Sequence, residues 1–188
     1  IHYDDYFYPS GAWDTFSEDR FYAAYKEDGG KLKLEDWRRD NVSRMVKRVS
    51  DTVTEINGKL GKNVSFGISP APVWAPNPEY CNDGRGLEGG QDVPCGSYSC
   101  YHDLYADTKL WVESEWIDYI ILPQVYSALD GTYPTLVKWW ADVVSRTNVK
   151  LYLGTGLYHV PDGTFKPTEI YEQMKWVRTN PEVKANVS

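Results

Sequence analysis

The chain has 188 residues, a formal net charge of -7 and an apolar fraction of 41%. It is long enough for one domain with a hydrophobic core, but short of the roughly 250 residues of a complete (β/α)8 barrel. The acidic balance supplies no basic surface, so nucleic acid and anionic membranes are not expected partners. No apolar run approaches the roughly 20 residues of a membrane span. The aromatic fraction of 15%, with 8 Trp and 15 Tyr, is unusual. Some of these rings are expected in the core, while others would suit sugars, because Trp and Tyr join a flat apolar face to a polar edge.

Four strand-like runs alternate with four helical patterns along the chain. The runs cover residues 1–8, 64–73, 117–126 and 149–158, and the helical patterns cover 36–56, 101–116, 134–146 and 167–179. Nearly continuous apolar strands are typical of parallel strands covered on both faces. The alternation predicts an α/β fold with parallel strands in sequential order and helices outside.

Two of the helical patterns carry clear apolar stripes at the 3.6-residue period. In the first, the predicted buried residues are Val42, Met45, Val46, Val49, Val53 and Ile56. In the third, they are Leu136, Val137, Trp140, Val143 and Val144.

Four consecutive strand–helix units fit either half of a (β/α)8 barrel or a small doubly wound sheet. No strand is followed by a Gly-rich dinucleotide or phosphate fingerprint, so we expect no cofactor. The chain opens within a strand-like run and stops just after a helical one. We therefore predict that residues 1–188 are a single domain fragment, strands four to seven of a barrel. Its exposed edge strands predict that the remainder of the barrel, or self-association, covers them.

The first strand ends in two adjacent acids, Asp4 and Asp5, within an aromatic run. Burying both would be costly without a compensating partner. With a side-chain period of two, Asp4 shares one face with His2 and Tyr6, while Asp5 faces the helix layer. Because sites in parallel folds gather at the carboxyl ends of strands, Asp4 and Asp5 are the catalytic candidates. The alternative is that both acids only cap the next loop or pair with neighbouring arginines, Arg38 and Arg39.

The other strand ends and loops supply polar and aromatic groups but no further strand-end acid. Ser69 lacks a G-x-S-x-G setting, so a nucleophilic role is not expected. Hydrogen-bonding and stacking roles towards a polysaccharide substrate are predicted for His2, Tyr6, Ser69, Trp74, Tyr101, Gln124 and Tyr126. For Gln124 and Tyr126 the alternative is a polar rim whose hydrogen bonds are satisfied within the protein.

Three cysteines fall in or at the end of one long loop insertion, residues 76–100. Cys81, Cys95 and Cys100 could form a zinc site with His102, but the spacing matches no common zinc motif. We therefore predict no metal and one disulfide between two of the three cysteines, as suits an exported protein.

Several segments together resemble one known family. These are IHYDDYFYP, WRRDNVSRMVKRVS, VSFGISPAPVW, YHDLYADTKLWVESEWIDYIILPQVYS, LVKWWADVV and VKLYLGTGLY, which are similar to glycosyl-hydrolase-like family ten of bacteria. The resemblance covers nearly the whole chain except residues 76–99. It implies a (β/α)8 barrel that hydrolyses glycosidic bonds, in cell-wall (peptidoglycan) glycan, within a secreted, periplasmic or lipid-anchored envelope protein. Ala71 and Pro72 depart from the family pattern, which has Phe and Gly there.

A looser similarity selects between the two acids. Residues 1–4 are similar to the fourth-strand motif of the α-amylase clan, which places Asp4 in the position of the nucleophile. Most glycosidases need a second carboxyl group, roughly 5 to 10 Å from the first depending on the stereochemical outcome. The loop candidates are Asp83, Glu88, Asp92, Asp103 and Asp130, and the other source is the missing strands. The alternative function is a non-catalytic glycan-binding module that uses an aromatic cleft.

Overall fold

The computed structural model describes residues 1–4, 7–9, 17–122 and 128–188. Four strands form one parallel sheet in the order β1-β2-β3-β4. They are β1 (His2–Tyr3), β2 (Gly67–Ile68), β3 (Tyr119–Leu122) and β4 (Lys150–Leu153). The predicted parallel, sequential arrangement is confirmed. On the outer side of β4, Leu151 forms a parallel bridge with Val187, and the Ser188 amide donates to the Leu151 carbonyl at 2.9 Å.

The helices lie between and after the strands. They are α1 (Asp19–Glu27), α2 (Leu34–Leu60), α3 (Cys100–Asp103), α4 (Thr108–Glu113), α5 (Tyr133–Val144), α6 (Glu169–Thr179) and α7 (Pro181–Lys184). The sequence predicted α2, α5 and α6 with shifted ends and did not predict α1 or α7. The predicted helix over 101–116 is two short helices, because Tyr105 adopts a left-handed conformation with φ 47° that interrupts the helix. Asp107 then caps α4 by accepting from the Leu110 amide at 3.3 Å.

One face of the sheet is packed against helices. Ile68, Ile120, Leu122 and Leu151 are fully buried on this face. The buried stripe of α5 joins this core with all five residues that the sequence predicted, which are Leu136, Val137, Trp140, Val143 and Val144.

The stripe of α2 is only partly confirmed. Val42, Val46 and Val53 are buried, and Val49 packs against the core, but Met45 and Ile56 are 42% and 45% exposed. The helix instead buries Arg39 and Ser43. Ser43 Oγ accepts from Trp111 Nε1 at 2.9 Å, so a polar residue occupies the position where α2 meets this large ring.

Residues 76–100 fold back along the chain that follows β2. The Gln91 amide donates to the Ala75 carbonyl at 2.8 Å, and the Cys100 amide donates to the Val73 carbonyl at 2.9 Å. Gln91 is fully buried, and its side chain bonds the Trp74 amide at 2.6 Å and the Pro72 carbonyl at 3.0 Å. The segment is therefore fixed to the strand end by backbone and side-chain bonds.

Candidate functional site

The sheet register places a row of side chains on the face opposite the helices. His2 pairs with Gly67, Gly67 with Tyr119, and Tyr119 with Lys150. Because side chains alternate along a strand, Asp4 and Ser69 lie on this same face, one step nearer the carboxyl ends of β1 and β2. The sequence-based assignment of His2 and Asp4 to one face agrees with this register.

A hydrogen-bonded network joins the three polar residues at the ends of β1 and β2. Ser69 Oγ donates to Asp4 Oδ1 at 3.2 Å, and His2 Nε2 lies 2.9 Å from the same hydroxyl. With the Ser69 proton directed at Asp4, Ser69 accepts from His2, which fixes a proton on Nε2. Asp4 is exposed while Ser69 is buried. The network therefore presents an oriented carboxylate to solvent.

Tyr119 extends this network and was not singled out from the sequence. Its hydroxyl oxygen lies 3.2 Å from His2 Nδ1, and the two rings are stacked at 5.9 Å with an interplanar angle of 8°. The sheet register explains this contact, because β3 places Tyr119 two strands from His2 on the same face. The side-chain pattern along a single strand does not show which residues of other strands lie opposite, so the sequence did not indicate Tyr119.

A cavity of about 310 Å³ opens beside the carboxylate, lined by His2, Tyr3, Asp4, Phe7 and Met45. Its size is at the lower end of small-molecule sites. Met45, which the sequence assigned to the buried stripe of α2, forms part of this wall.

Four predicted site residues lie outside the described residues, namely Asp5, Tyr6, Gln124 and Tyr126. Their assigned roles stay predictions.

Trp74 and Tyr101 form a second cluster instead of joining Asp4. Their rings meet edge to face at 5.6 Å, and Trp74 is stacked against Trp139 at 5.8 Å. Trp74 Nε1 donates to Asp107 Oδ1 at 2.9 Å, and burial raises the pKa of that carboxyl above its usual range. Trp74 is only 6% exposed, so its packing favours a structural contribution.

A buried carboxylate that the sequence did not reveal contacts Tyr8, which follows β1. Glu18 accepts from Arg38 Nε at 2.6 Å and from the Tyr8 hydroxyl, and Arg38 Nη1 donates to the Tyr105 hydroxyl at 2.7 Å. Burial, together with Glu18, raises the pKa of Tyr8, which keeps its proton for this bond. Arg38 pairs with Glu18, and Arg39 bonds Asp36 at 2.7 Å. The alternative in which these arginines also pair with the strand-end acids stays a prediction, because Asp5 lies outside the described residues.

The loop acids proposed as a second carboxyl group have contacts of their own. Asp103 pairs with Arg85 at 2.7 Å, and Asp130 lies 3.6 Å from Lys166. Asp92 accepts from Asn77 at 3.2 Å, and Asp83 accepts from the Arg85 amide at 3.0 Å. Glu88 is exposed.

The cysteine loop contains a disulfide between Cys81 and Cys95, as predicted. Cys100 is fully buried, and its thiol donates to the Ala71 carbonyl at 3.2 Å. A zinc site at these cysteines would need Cys81 and Cys95 as thiolates, and the disulfide leaves neither of them as a thiolate. Within the described ranges, no helix has the length and apolar character needed to cross a membrane.

Comparisons with known proteins agree with the resemblance seen in the sequence. A sequence model of the family described as Glycosyl hydrolase-like 10 matches residues 1–173. The chain is 36% identical over 163 residues to "Glycosyl hydrolase DigH" of Escherichia coli (strain K12), covering 85% of this chain and 34% of that protein. It is also 36% identical over 175 residues to "Glycosyl hydrolase YngK" of Bacillus subtilis (strain 168), covering 89% of this chain and 31% of that protein. The chain thus spans about a third of the length of these relatives (34% and 31%). It belongs to the Glycosyl hydrolase-like 10 family.

Proposed function

We propose that this chain supplies strands four to seven of a (β/α)8 catalytic barrel that hydrolyses glycosidic bonds in bacterial cell-wall (peptidoglycan) glycan. The family and the names of the relatives support glycoside hydrolysis. The parallel sheet with strands in sequential order supports the barrel, since consecutive strands in a barrel are neighbours.

The uncovered face of the sheet supports the same arrangement. Tyr119, Ile121 and Tyr152 lie on the face opposite the helices and are only half-buried, while Lys150 is exposed. In a complete barrel these side chains fill the interior in layers with side chains from the other strands. The remaining strands of the barrel are the proposed partner of this face. Without them, this face would favour self-association.

The exposed Asp4 carboxylate, oriented by Ser69 at 3.2 Å, is the observation that carries the catalytic proposal. Asp4 attacks the anomeric carbon or stabilises the positive charge that develops there, and His2 fixes the rotamer of Ser69. The second carboxyl group comes from the other half of the barrel or from a loop. Asp5 holds the loop after β1, and Tyr6, Gln124 and Tyr126 bind sugar hydroxyls.

Replacement of Asp4 in the full-length protein tests the assignment. Asp4→Asn removes the charge at nearly constant shape, so cleavage of isolated peptidoglycan glycan strands should fall by several orders of magnitude while the melting temperature and glycan binding are retained. Asp5→Asn is the matched control and should lose more stability than activity. Ser69→Ala should leave the charge in place but release its orientation, at a cost of roughly tenfold in kcat.

Near-wild-type cleavage by Asp4→Asn would overturn the catalytic role of this residue. If the wild-type protein binds glycan strands but does not cleave them, the result would favour the alternative function, a non-catalytic glycan-binding module.

We also propose that the protein is exported to the periplasm, cell envelope or medium. The Cys81–Cys95 disulfide supports this location, because disulfides persist in oxidising compartments. Labelling of free thiols in the protein isolated from fractionated cells, with and without prior reduction, tests it. Three reactive thiols in the unreduced, denatured protein would contradict the proposal.

A further inference from the structure

A second cavity lies at the carboxyl end of β2, between the cysteine loop and the start of α5. Its volume is about 360 Å³, and its walls include Ala71 and Val73 after β2, Ser97 and Tyr98 from the loop, and Leu136 from α5. The size falls within the range of roughly 300–1,000 Å³ of small-molecule sites. Most of these walls are apolar, and Tyr98 adds an aromatic ring with a hydroxyl.

We propose that this cavity is a glycan subsite, with Tyr98 as the aromatic side chain that packs against a sugar ring. The inference rests on the proposed glycoside hydrolase function and extends it. A ring with an apolar face and a polar edge suits a sugar, whose CH groups form an apolar face rimmed by hydroxyl groups.

The subsite lies close to the proposed catalytic carboxylate. Ser69 contacts Asp4 at 3.2 Å, and Ala71, in the cavity wall, follows Ser69 by two residues. The Cα atoms of Ser69 and Ala71 are therefore at most roughly 7 Å apart. Sugar units on either side of the bond cleaved at Asp4 extend over such distances, so a polysaccharide can occupy both places at once.

The loop holds Tyr98 between two anchors. On one side, Cys95 is joined to Cys81, and the Ser97 amide donates to the Pro94 carbonyl at 2.9 Å. On the other side, the fully buried Ser99 donates from its amide to Asp103 Oδ2 at 2.7 Å.

The next residue completes the second anchor. Cys100 bonds the carbonyls of Val73 and Ala71 through its amide and thiol, at 2.9 and 3.2 Å. The backbone around Tyr98 is thus tied directly to the chain that follows β2. Tyr98 is nevertheless 51% exposed. A surface aromatic residue on a fixed loop loses little conformational entropy when a ligand covers it.

Comparison of long and short substrates in the full-length protein tests the subsite. Tyr98→Ala should raise KM for long peptidoglycan glycan strands about tenfold with kcat nearly unchanged, and should leave an aryl glycoside reporter unaffected, because the reporter is too short to fill the cavity. Tyr98→Phe retains the ring and should stay within about threefold of the wild-type KM. Tyr80→Ala is the matched control, since Tyr80 is 53% exposed on the same loop but does not line the cavity.

Each other outcome has a definite reading. Wild-type KM for long strands in Tyr98→Ala, or an equal change in Tyr80→Ala, would overturn the subsite while the hydrolase function stands. Equal losses on long and short substrates would also overturn it, because they would point to a general disturbance of the loop. If the wild-type protein neither cleaves nor binds the long strands or the reporter, both the subsite and the hydrolase function are overturned.

Discussion

The ring of Tyr119 occupies the space in which a side chain at Gly67 would lie. A Cβ atom added at residue 67 would come within 2.3 Å of the ring carbons of Tyr119. The missing side chain therefore allows the ring to lie across β2 and bring its hydroxyl to His2, 3.2 Å away. Gly67 in β2 therefore permits the close approach of an aromatic ring.

Gly67→Ala should therefore disturb the Asp4 network without unfolding the domain. The Tyr119 ring must move away from residue 67, and the support of His2 is lost. We expect kcat for glycan cleavage to fall roughly tenfold with little loss in melting temperature. Tyr119→Phe retains the ring and removes only the hydroxyl, so its effect should be smaller. An unchanged kcat in Gly67→Ala would show that His2 needs no support from Tyr119.

The Glu18–Arg38 pair should contribute strongly to stability. Both side chains are largely buried, with 7% and 14% exposed, so neutralising Glu18 takes away a close counter-charge of the buried Arg38. Glu18→Gln should lower the free energy of unfolding by about 3 kcal/mol, measured by urea denaturation. The matched control is Asp40→Asn, which breaks the exposed Asp40–Arg44 pair and should cost at most about 0.5 kcal/mol. Equal effects of the two substitutions would contradict the importance of burial here.

Gln91 should be needed to hold the cysteine loop on the end of β2. Gln91→Leu would leave the buried Trp74 amide and one acceptor position of Pro72 without their side-chain bonds, and should cost about 1–3 kcal/mol of unfolding free energy. Asp92→Asn, a change at the exposed neighbouring residue, should be nearly neutral. Hydrogen exchange at the Trp74 amide gives a local measurement. Equal protection in wild type and Gln91→Leu would mean that the loop is held by other contacts.

The parts of this molecule that the sequence predicted are those set by local periodicity. The α5 stripe was predicted in full because a helix lying on a sheet buries one side at a fixed period. The grouping of His2 with Asp4 followed from the strand period of two. The placement of Ser69 beside them needed the pairing of β1 with β2.

The unpredicted parts depend on partners distant in sequence. Glu18 is buried because Arg38 and Tyr8 surround it, and no local pattern indicates that. Trp74 was predicted to face a substrate, but the structure buries it against Trp139, 65 positions later in the sequence numbering. Composition can suggest that a protein with many aromatic residues binds sugars; it cannot tell which rings are packed inside.

His102 should make stability fall as the pH is lowered. Its Nε2 donates to the Arg85 carbonyl at 2.7 Å, and burial lowers its pKa below the ordinary value of 6.5, with the charges of Arg85 and Arg39 acting in the same direction. The hydrogen bond to the Arg85 carbonyl and the charge of Asp103 oppose this shift without reversing it. The folded state therefore takes up a proton less readily than the unfolded chain. The free energy of unfolding should be unaffected by His102 well above pH 6.5, should decline as the pH falls below this value, and should level off below the folded pKa.

Melting temperatures of the wild-type protein and His102→Gln at pH 7.5 and 5.5 measure this effect. Glutamine can donate the same bond to the Arg85 carbonyl but does not titrate, so the variant should lose less stability on acidification than the wild type. Both proteins retain His2 and His159, so the difference between their pH-dependent stability losses reports on His102 alone. Because His102 lies two residues beyond Cys100, the acid-induced loss should begin in the cysteine loop, and hydrogen exchange at the Cys100 amide should increase first. Identical pH dependence in the two proteins would mean that protonation of His102 is not coupled to the stability of this loop.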